Sequence, residues 1–211
     1  MKNIVFILIV YLPFLQVSLT FGQNNDSAAI TYKSEIEKFR KGKNIKLMYS
    51  ESSPFEKAQL ANFTGLKYFP ADIKYKVEAT IIKDTAPADV IMKTSTDREP
   101  LYVRYGVLNF RIDTFNLTLA VFQNKKMLDL SKDKKYLFVP FRDETSGKEC
   151  YGGGRYIDCE IPESGNTLIL DFNKAYNPYC AYNHKYSCVI PPEENTIQIR
   201  IEAGEKKYEE H

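Results

Sequence analysis

Apolar and polar positions along the chain change rhythm three times. From Ile4 through Val10 to Leu15, Val17, Leu19 and Phe21 the chain is almost wholly apolar, and after Lys2 it carries no acid or base. A single positive charge ahead of such a run is the layout of a secretory signal peptide. Pro13, Gln16 and Ser18 interrupt the run short of the roughly 20 apolar residues of a membrane span. Cleavage is expected after Gly22, so that residues 1–22 form the signal peptide and no stable membrane span is left; an uncleaved anchor is the alternative. Residues 23–30 are small and polar and read as a flexible leader. Tyr32, Ile36 and Phe39 then recur at helical spacing among Lys and Glu, predicting an amphipathic helix over 31–47 that Gly42 could end early. A second, shorter helix is expected from Ser53-Pro54-Phe55-Glu56, with Ser53 as cap, Pro54 at the first helical position and Glu56 completing a capping box, ending before Gly65.

From Ile73 the period becomes two. Ile73, Tyr75, Val77, Ala79 and Ile81 alternate with Lys74, Lys76, Glu78 and Thr80, the signature of a half-buried strand. Short β-branched and aromatic runs follow at 90–94, 101–107, 110–113, 117–123, 136–141, 168–172 and 197–201, separated by Asp, Asn, Gly and Pro. This spacing predicts a mainly β fold, an antiparallel β-barrel or sandwich with one or two short N-terminal helices, not alternating βα units. No repeat or low-complexity linker breaks it, so residues 31–205 are expected to form one domain, with 206–211 as a charged tail.

Composition agrees with a folded core: 44% of residues are hydrophobic and 27% charged. The net charge of +2 gives no support for a nucleic-acid surface, which needs clustered and uncompensated cations. Lys125, Lys126, Lys132, Lys134 and Lys135 do cluster, but Asp129 and Asp133 interrupt them as in a solvated loop.

Four cysteines, Cys150, Cys159, Cys180 and Cys188, all lie in the last third of a chain expected to be exported to an extracytoplasmic compartment, periplasmic or secreted. An even count there suggests two disulfides. Cys150 and Cys159 bracket Tyr151-Gly152-Gly153-Gly154-Arg155-Tyr156-Ile157-Asp158; a hairpin turning at Gly154-Arg155 would bring them face to face at a non-hydrogen-bonded site, within disulfide reach. Cys180 and Cys188 would then close a loop of their own.

The stretch 140–195 interleaves Arg142, Asp143, Glu149, Arg155, Asp171, Asn173, Asn177, Asn183, Glu194 and Asn195 with six tyrosines. Polar groups among aromatics must be hydrogen-bonded or they destabilise the fold. Two readings compete. In one, the short polar side chains tie down irregular loops through backbone bonds. In the other, Arg155, opposed by Glu149 or Asp171 and joined by Asn173, grips a small polar ligand or glycan between tyrosine walls such as Tyr151 and Tyr182.

The same stretch carries a resemblance. Phe141-Arg-Asp143-Glu-Thr-Ser-Gly147-Lys-Glu149-Cys-Tyr151-Gly-Gly-Gly-Arg155-Tyr156, then Asp171-Phe-Asn173-Lys-Ala-Tyr-Asn-Pro-Tyr-Cys180-Ala-Tyr-Asn183, Tyr186-Ser-Cys188 and Pro191-Pro-Glu-Glu-Asn195 resemble the signature of the bacterial domain of unknown function 1684 family. The likeness extends more faintly through Ser53-Pro54-Phe55 and Phe63 to Phe69. It implies an exported protein of no assigned activity, with Cys180 and Cys188 in the shared pattern and Cys150 and Cys159 as additions. It transfers no catalytic or ligand role.

Catalytic signals are sparse. His184 sits midway between Cys180 and Cys188, but the spacing is not a zinc pattern, a fourth ligand is lacking, and no metal or other cofactor is expected. His184 with Ser146 or Ser187 could be drawn as a hydrolase pair, yet no Gly-x-Ser-x-Gly elbow occurs. Gly152-Gly153-Gly154 lacks the order of a phosphate loop and reads as a turn. Carboxylates for a hydrolase could be drawn from Glu149, Asp158, Asp171 and Glu194 without a basis for choice. The expectation is therefore a small-ligand-binding or interaction module, with an extracytoplasmic hydrolase using carboxylates of the same tract as the alternative.

Overall fold

The computed structural model describes residues 21–130 and 135–208. The signal-peptide stretch up to residue 20, Lys132, Lys134 and the last three residues of the tail lie outside the described residues.

Helix α1 spans Phe21–Tyr49 and so runs through the expected leader and past Gly42. A mid-helix glycine costs about 1 kcal/mol relative to alanine, and the packing of one stripe outweighs it. Tyr32 and Ile36 are buried, and Leu47, eleven residues on, packs with Phe55, Phe63 and Tyr182. Ser53 does not cap the next helix. Its hydroxyl donates to the Leu47 carbonyl at 2.6 Å, closing the end of α1. Helix α2 (Lys57–Asn62) starts later, after Glu56, whose N–H donates to the Gln59 side chain at 3.0 Å.

The fold is mainly antiparallel β, a sheet curled into a half-barrel with three helices among the described residues. Its strands are β1 (Lys76–Lys83), β2 (Asp89–Ile91), β3 (Leu101–Ile112), β4 (Phe115–Asn124), β5 (Tyr136–Phe141), β6 (Arg155–Glu160) and β7 (Thr167–Asp171). The order is β6-β5-β4-β3-β1-β7, with β2 added on β3; helix α3 (Lys125–Leu130) follows β4. The two expected runs at 101–107 and 110–113 are one strand, because Leu108 and Asn109 stay paired with Leu119 and Thr118; the register shift lies earlier, a bulge between Arg104 and Gly106. Gly106 is required there: a Cβ would lie 2.2 Å from the Ile82 carbonyl oxygen.

Two expectations are corrected. The run 197–201 does not form a strand; Ile197 and Ile201 are buried by packing into the same core as the inward-facing strand residues. Nor do Cys150 and Cys159 face each other across a hairpin. Residues 155–160 pair with β5, with Cys159 opposite Leu137, while the Cys150 Sγ lies 3.5 Å from the Glu205 carbonyl. The β5 run is the more apolar and offers a six-residue ladder, whereas the glycines at 152–154 have no side chains to pair.

Alternation in the strands separates two cores. Leu119, Val121, Leu137, Val139 and Ile157 point into the half-barrel with Leu108, Phe110 and Phe172. Their neighbours Ala120, Phe122, Phe138 and Tyr156 point the other way and are also buried, under Met92, Tyr102 and Val189. The middle of the sheet is thus covered on both faces, and β4 and β5 read as continuous apolar runs. Only Phe122 and Phe138 pair between β4 and β5. The fully buried Asn195 substitutes for the missing ladder: it accepts from Ala120 N–H at 2.8 Å and donates to the carbonyls of Ala120 and Pro140.

Candidate functional site

The second face of the sheet is not fully covered. Between it, α1 and the loop 176–189 lies a cleft of about 1080 Å³. The pleat that sends Leu137 and Val139 inward sends Tyr136 and Phe138 into this space, and Tyr102, Tyr156 and Tyr176 extend the wall. The rings interlock, with Phe138 on Tyr156 at 4.7 Å and Tyr156 on Tyr176 at 5.8 Å between centroids, both edge to face. Opposite them, α1 contributes Phe39 and Leu47, and the loop contributes Tyr179 and Tyr186.

Few polar groups reach this apolar space. Asp158 lies on β6 at the wall, and its Oδ1 accepts from the Tyr136 hydroxyl at 2.9 Å and from the Tyr176 hydroxyl at 2.8 Å. Burial, and then the carboxylate itself, hold both phenols well above their ordinary pKa, so both stay protonated donors at neutral pH. Arg98 stands at the mouth, its Nε on the Ser187 hydroxyl at 3.1 Å and its Nη2 on the Ser187 carbonyl at 2.8 Å. It has no carboxylate partner among the described residues. Lys38, Lys43 and Lys46 line the α1 side, against a single carboxylate there, Glu35. Lys43 is committed elsewhere, pairing with buried Glu205 and lying 4.5 Å from the Tyr176 ring centre.

The residues singled out from sequence do not converge. Arg155 is completely buried beneath the sheet end, where it donates to the carbonyls of Ile201, Ala203 and Glu205 and to Asp143 at 3.2 Å. It braces the C-terminal segment and does not line this cleft. Glu149 is on the surface, 2.6 Å from Arg200, which holds its carboxyl below the usual range. Asp171 accepts from the Tyr32 hydroxyl at 2.7 Å and caps the turn at Asn173, and Asn173 clasps the backbone of Asp72. Tyr182 gives its hydroxyl to buried Glu205. Tyr151 lies 3.7 Å from the Cys180 sulfur. His184 is exposed on the loop, and Glu194 pairs with Arg104 at 2.9 Å. Loop-tying, the first of the two sequence readings, describes this set. Tyr156, Tyr176, Tyr179 and Tyr186 do wall a cavity, but one whose polar groups include Asp158, Arg98 and the α1 charges and none of Arg155, Glu149, Asp171 or Asn173. The signal for Asp158 was its place one residue past inward-facing Ile157 on a strand, which sends it to the opposite face.

The same geometry has relatives. A family model described as a protein of unknown function, DUF1684, matches residues 61–206. The chain belongs to this family. The DUF1684 span takes in the whole sheet, the aromatic wall, Arg98 and the loop 176–189, while the α1 wall precedes it. The chain is also similar to an uncharacterized protein of Haloarcula marismortui solved by solution NMR, at 34% identity and a TM-score of 0.67, covering 89% of this chain and 100% of that one. That share is too large to be confined to 61–206. No curated protein matches the chain.

Proposed function

We propose that this DUF1684 protein is a small-ligand-binding module whose cleft takes an organic acid with an apolar or aromatic body. The observation that carries the reading is an aromatic-walled cleft of ligand size with an arginine at its mouth that no carboxylate among the described residues neutralises. Concave, mostly apolar sites with a few placed polar groups are the usual form of small-molecule pockets. The body of the ligand would lie on the rings of Tyr102, Phe138 and Tyr156, its acid group on Arg98, and a hydroxyl or amine on Asp158. The apolar lining favours such a body over the glycan or wholly polar metabolite expected from sequence. The apolar run behind Lys2 supports an exported form of the protein.

A thermal-shift series of aromatic and aliphatic carboxylic acids, each with its primary amide as control, tests the reading. Ligand at about 100 times its Kd stabilises by about 2.7 kcal/mol, a rise in Tm of about 5–10 °C for a chain of this length. A charge-assisted hydrogen bond is worth about 1.5–3 kcal/mol, so the acid should bind at least about tenfold tighter than its amide, and Arg98→Ala should remove that preference while leaving the unliganded Tm unchanged. Equal binding of acid and amide, or no stabilising acid at all, refutes the assignment.

A further inference from the structure

Cys180 and Cys188 are brought together by the loop 176–189 at the end of the cleft. The Cys180 N–H donates to the Cys188 Sγ at 3.1 Å, which sets the two sulfurs in one corner. Cys188 is half-buried and lines the cleft, whereas Cys180 is buried behind it beside the Tyr151 hydroxyl. The Cys188 N–H is itself held by Ser95 at 3.1 Å, and Arg98 is anchored on the neighbouring Ser187. These bonds fix the loop backbone around both sulfurs, and the Cys180 N–H is the backbone donor that reaches one of them.

We propose that Cys180 and Cys188 are a thiol–disulfide exchange pair that opens onto the cleft and reacts with low-molecular-weight disulfides. The environment separates the two thiols: the hydrogen bond from Cys188, helped by Tyr151 and Ser95 and opposed by burial, lowers Cys180 to about 6, and the same bond, with burial, raises Cys188. At neutral pH the pair therefore holds one proton between two sulfurs. Cys188, the sulfur that lines the cleft, attacks one sulfur of the incoming disulfide while the Cys180 thiolate, acting as base, takes its proton in the same step, and the other half of the disulfide leaves as a thiolate. That thiolate then takes the proton from Cys180, and the Cys180 sulfur displaces the second half from Cys188. The Cys180–Cys188 bond is formed, one small thiol and one small thiolate are released, and the two electrons given up by the protein reduce the external disulfide. The other two cysteines are excluded from this chemistry. Cys150 is buried and its thiol raised by burial, and burial pushes Cys159 up to about 12.

The full chain, reduced and then exposed to oxidised glutathione at neutral pH, should lose two hydrogens and retain no glutathione. The new bridge should map to Cys180–Cys188, and dithiothreitol should reverse it without unfolding. Cys180→Ser should trap a stable glutathione adduct on Cys188, because the second displacement is removed. If that variant does not fold, alkylation of the native chain tests the same pair: Cys188 should be labelled by iodoacetamide at least about tenfold faster than Cys150 or Cys159. Four free thiols after glutathione treatment, a bridge mapped to Cys150–Cys159, or a Cys180–Cys188 bridge that dithiothreitol cannot open in the folded protein would each overturn the proposal. None of these readouts involves the acid ligand, so the two ideas fail separately.

Discussion

Arg155→Ala is the substitution on which the sequence and the structure part most sharply. In a binding pocket it would leave a stable protein that has lost its ligand. In this structure the guanidinium is fully buried and supplies four hydrogen bonds, to the carbonyls of Ile201, Ala203 and Glu205 and to Asp143. Removing one partner of a buried ion pair costs about 3–5 kcal/mol, because the other charge stays buried without compensation. Each carbonyl left without a donor adds about 1–3 kcal/mol. Asp143 keeps Thr145 and the Ile201 N–H as donors, at 2.8 Å for the latter, which moderates the charge penalty. A loss of at least about 5 kcal/mol remains, against a total stability of about 5–15 kcal/mol for a domain. Urea unfolding followed by circular dichroism reads it directly: with a slope of about 2 kcal/mol/M, the midpoint should fall by about 2.5 M or the variant should not fold at all. Arg155→Leu combined with Asp143→Asn removes the orphaned charge and should recover about 2 kcal/mol relative to the sum of the single changes. A folded Arg155→Ala protein with a midpoint within 0.5 M, roughly 1 kcal/mol, would falsify the bracing role.

Other perturbations test the frame of the cleft. Gly106→Ala places a methyl against the Ile82 carbonyl and should cost at least about 2 kcal/mol by the same urea assay, since backbone on both sides must move; an unchanged midpoint would contradict the close approach at the bulge. Ile36→Ala on α1 removes a fully buried side chain and should cost about 2–5 kcal/mol, and a cost under about 0.5 kcal/mol, the ordinary surface value, would mean that α1 does not form a wall. Alkaline stability should fall between about pH 9 and 12. Burial pushes Cys159 up to about 12, so the folded chain keeps a proton that the unfolded chain releases near 8.5; stability is whole below that value and declines as pH rises, by up to about 1.4 kcal/mol per unit for that one group. Several buried phenols are displaced the same way, and a stability curve flat to pH 12 refutes their protonated burial.

What sequence could and could not disclose follows from the range of each interaction. Strands β1, β4, β5 and β7 were legible because alternation in β1 and short β-branched and aromatic runs bounded by turn residues in the others are local properties of one run, and the pleat alone decides which residues share a face. The helix over 31–47 was legible too, but the sequence leaves open whether it passes Gly42, because the term that carries it past the glycine is contact between Leu47 and Phe55, Phe63 and Tyr182, the last of which is over a hundred residues away in the chain. The hairpin at Gly154-Arg155 was plausible locally and lost to a better partner, β5, that local reasoning never weighs. The same limit governs the site. Arg155, Glu149 and Asp171 looked like a binding set because charged groups among tyrosines need partners, and that inference is sound. The partners, however, are backbone carbonyls at 201–205, Arg200, and Tyr32, none of them near in sequence. Chemistry that satisfies itself inside the fold is spent on stability. Arg98 and Asp158 do not stand out in the sequence, being one loop arginine and one of several carboxylates, yet they face an apolar space large enough for a ligand beside the aromatic wall. In this protein a side chain's claim to function is set by which of its hydrogen-bonding positions the fold leaves unfilled, and that is a property of the closed structure.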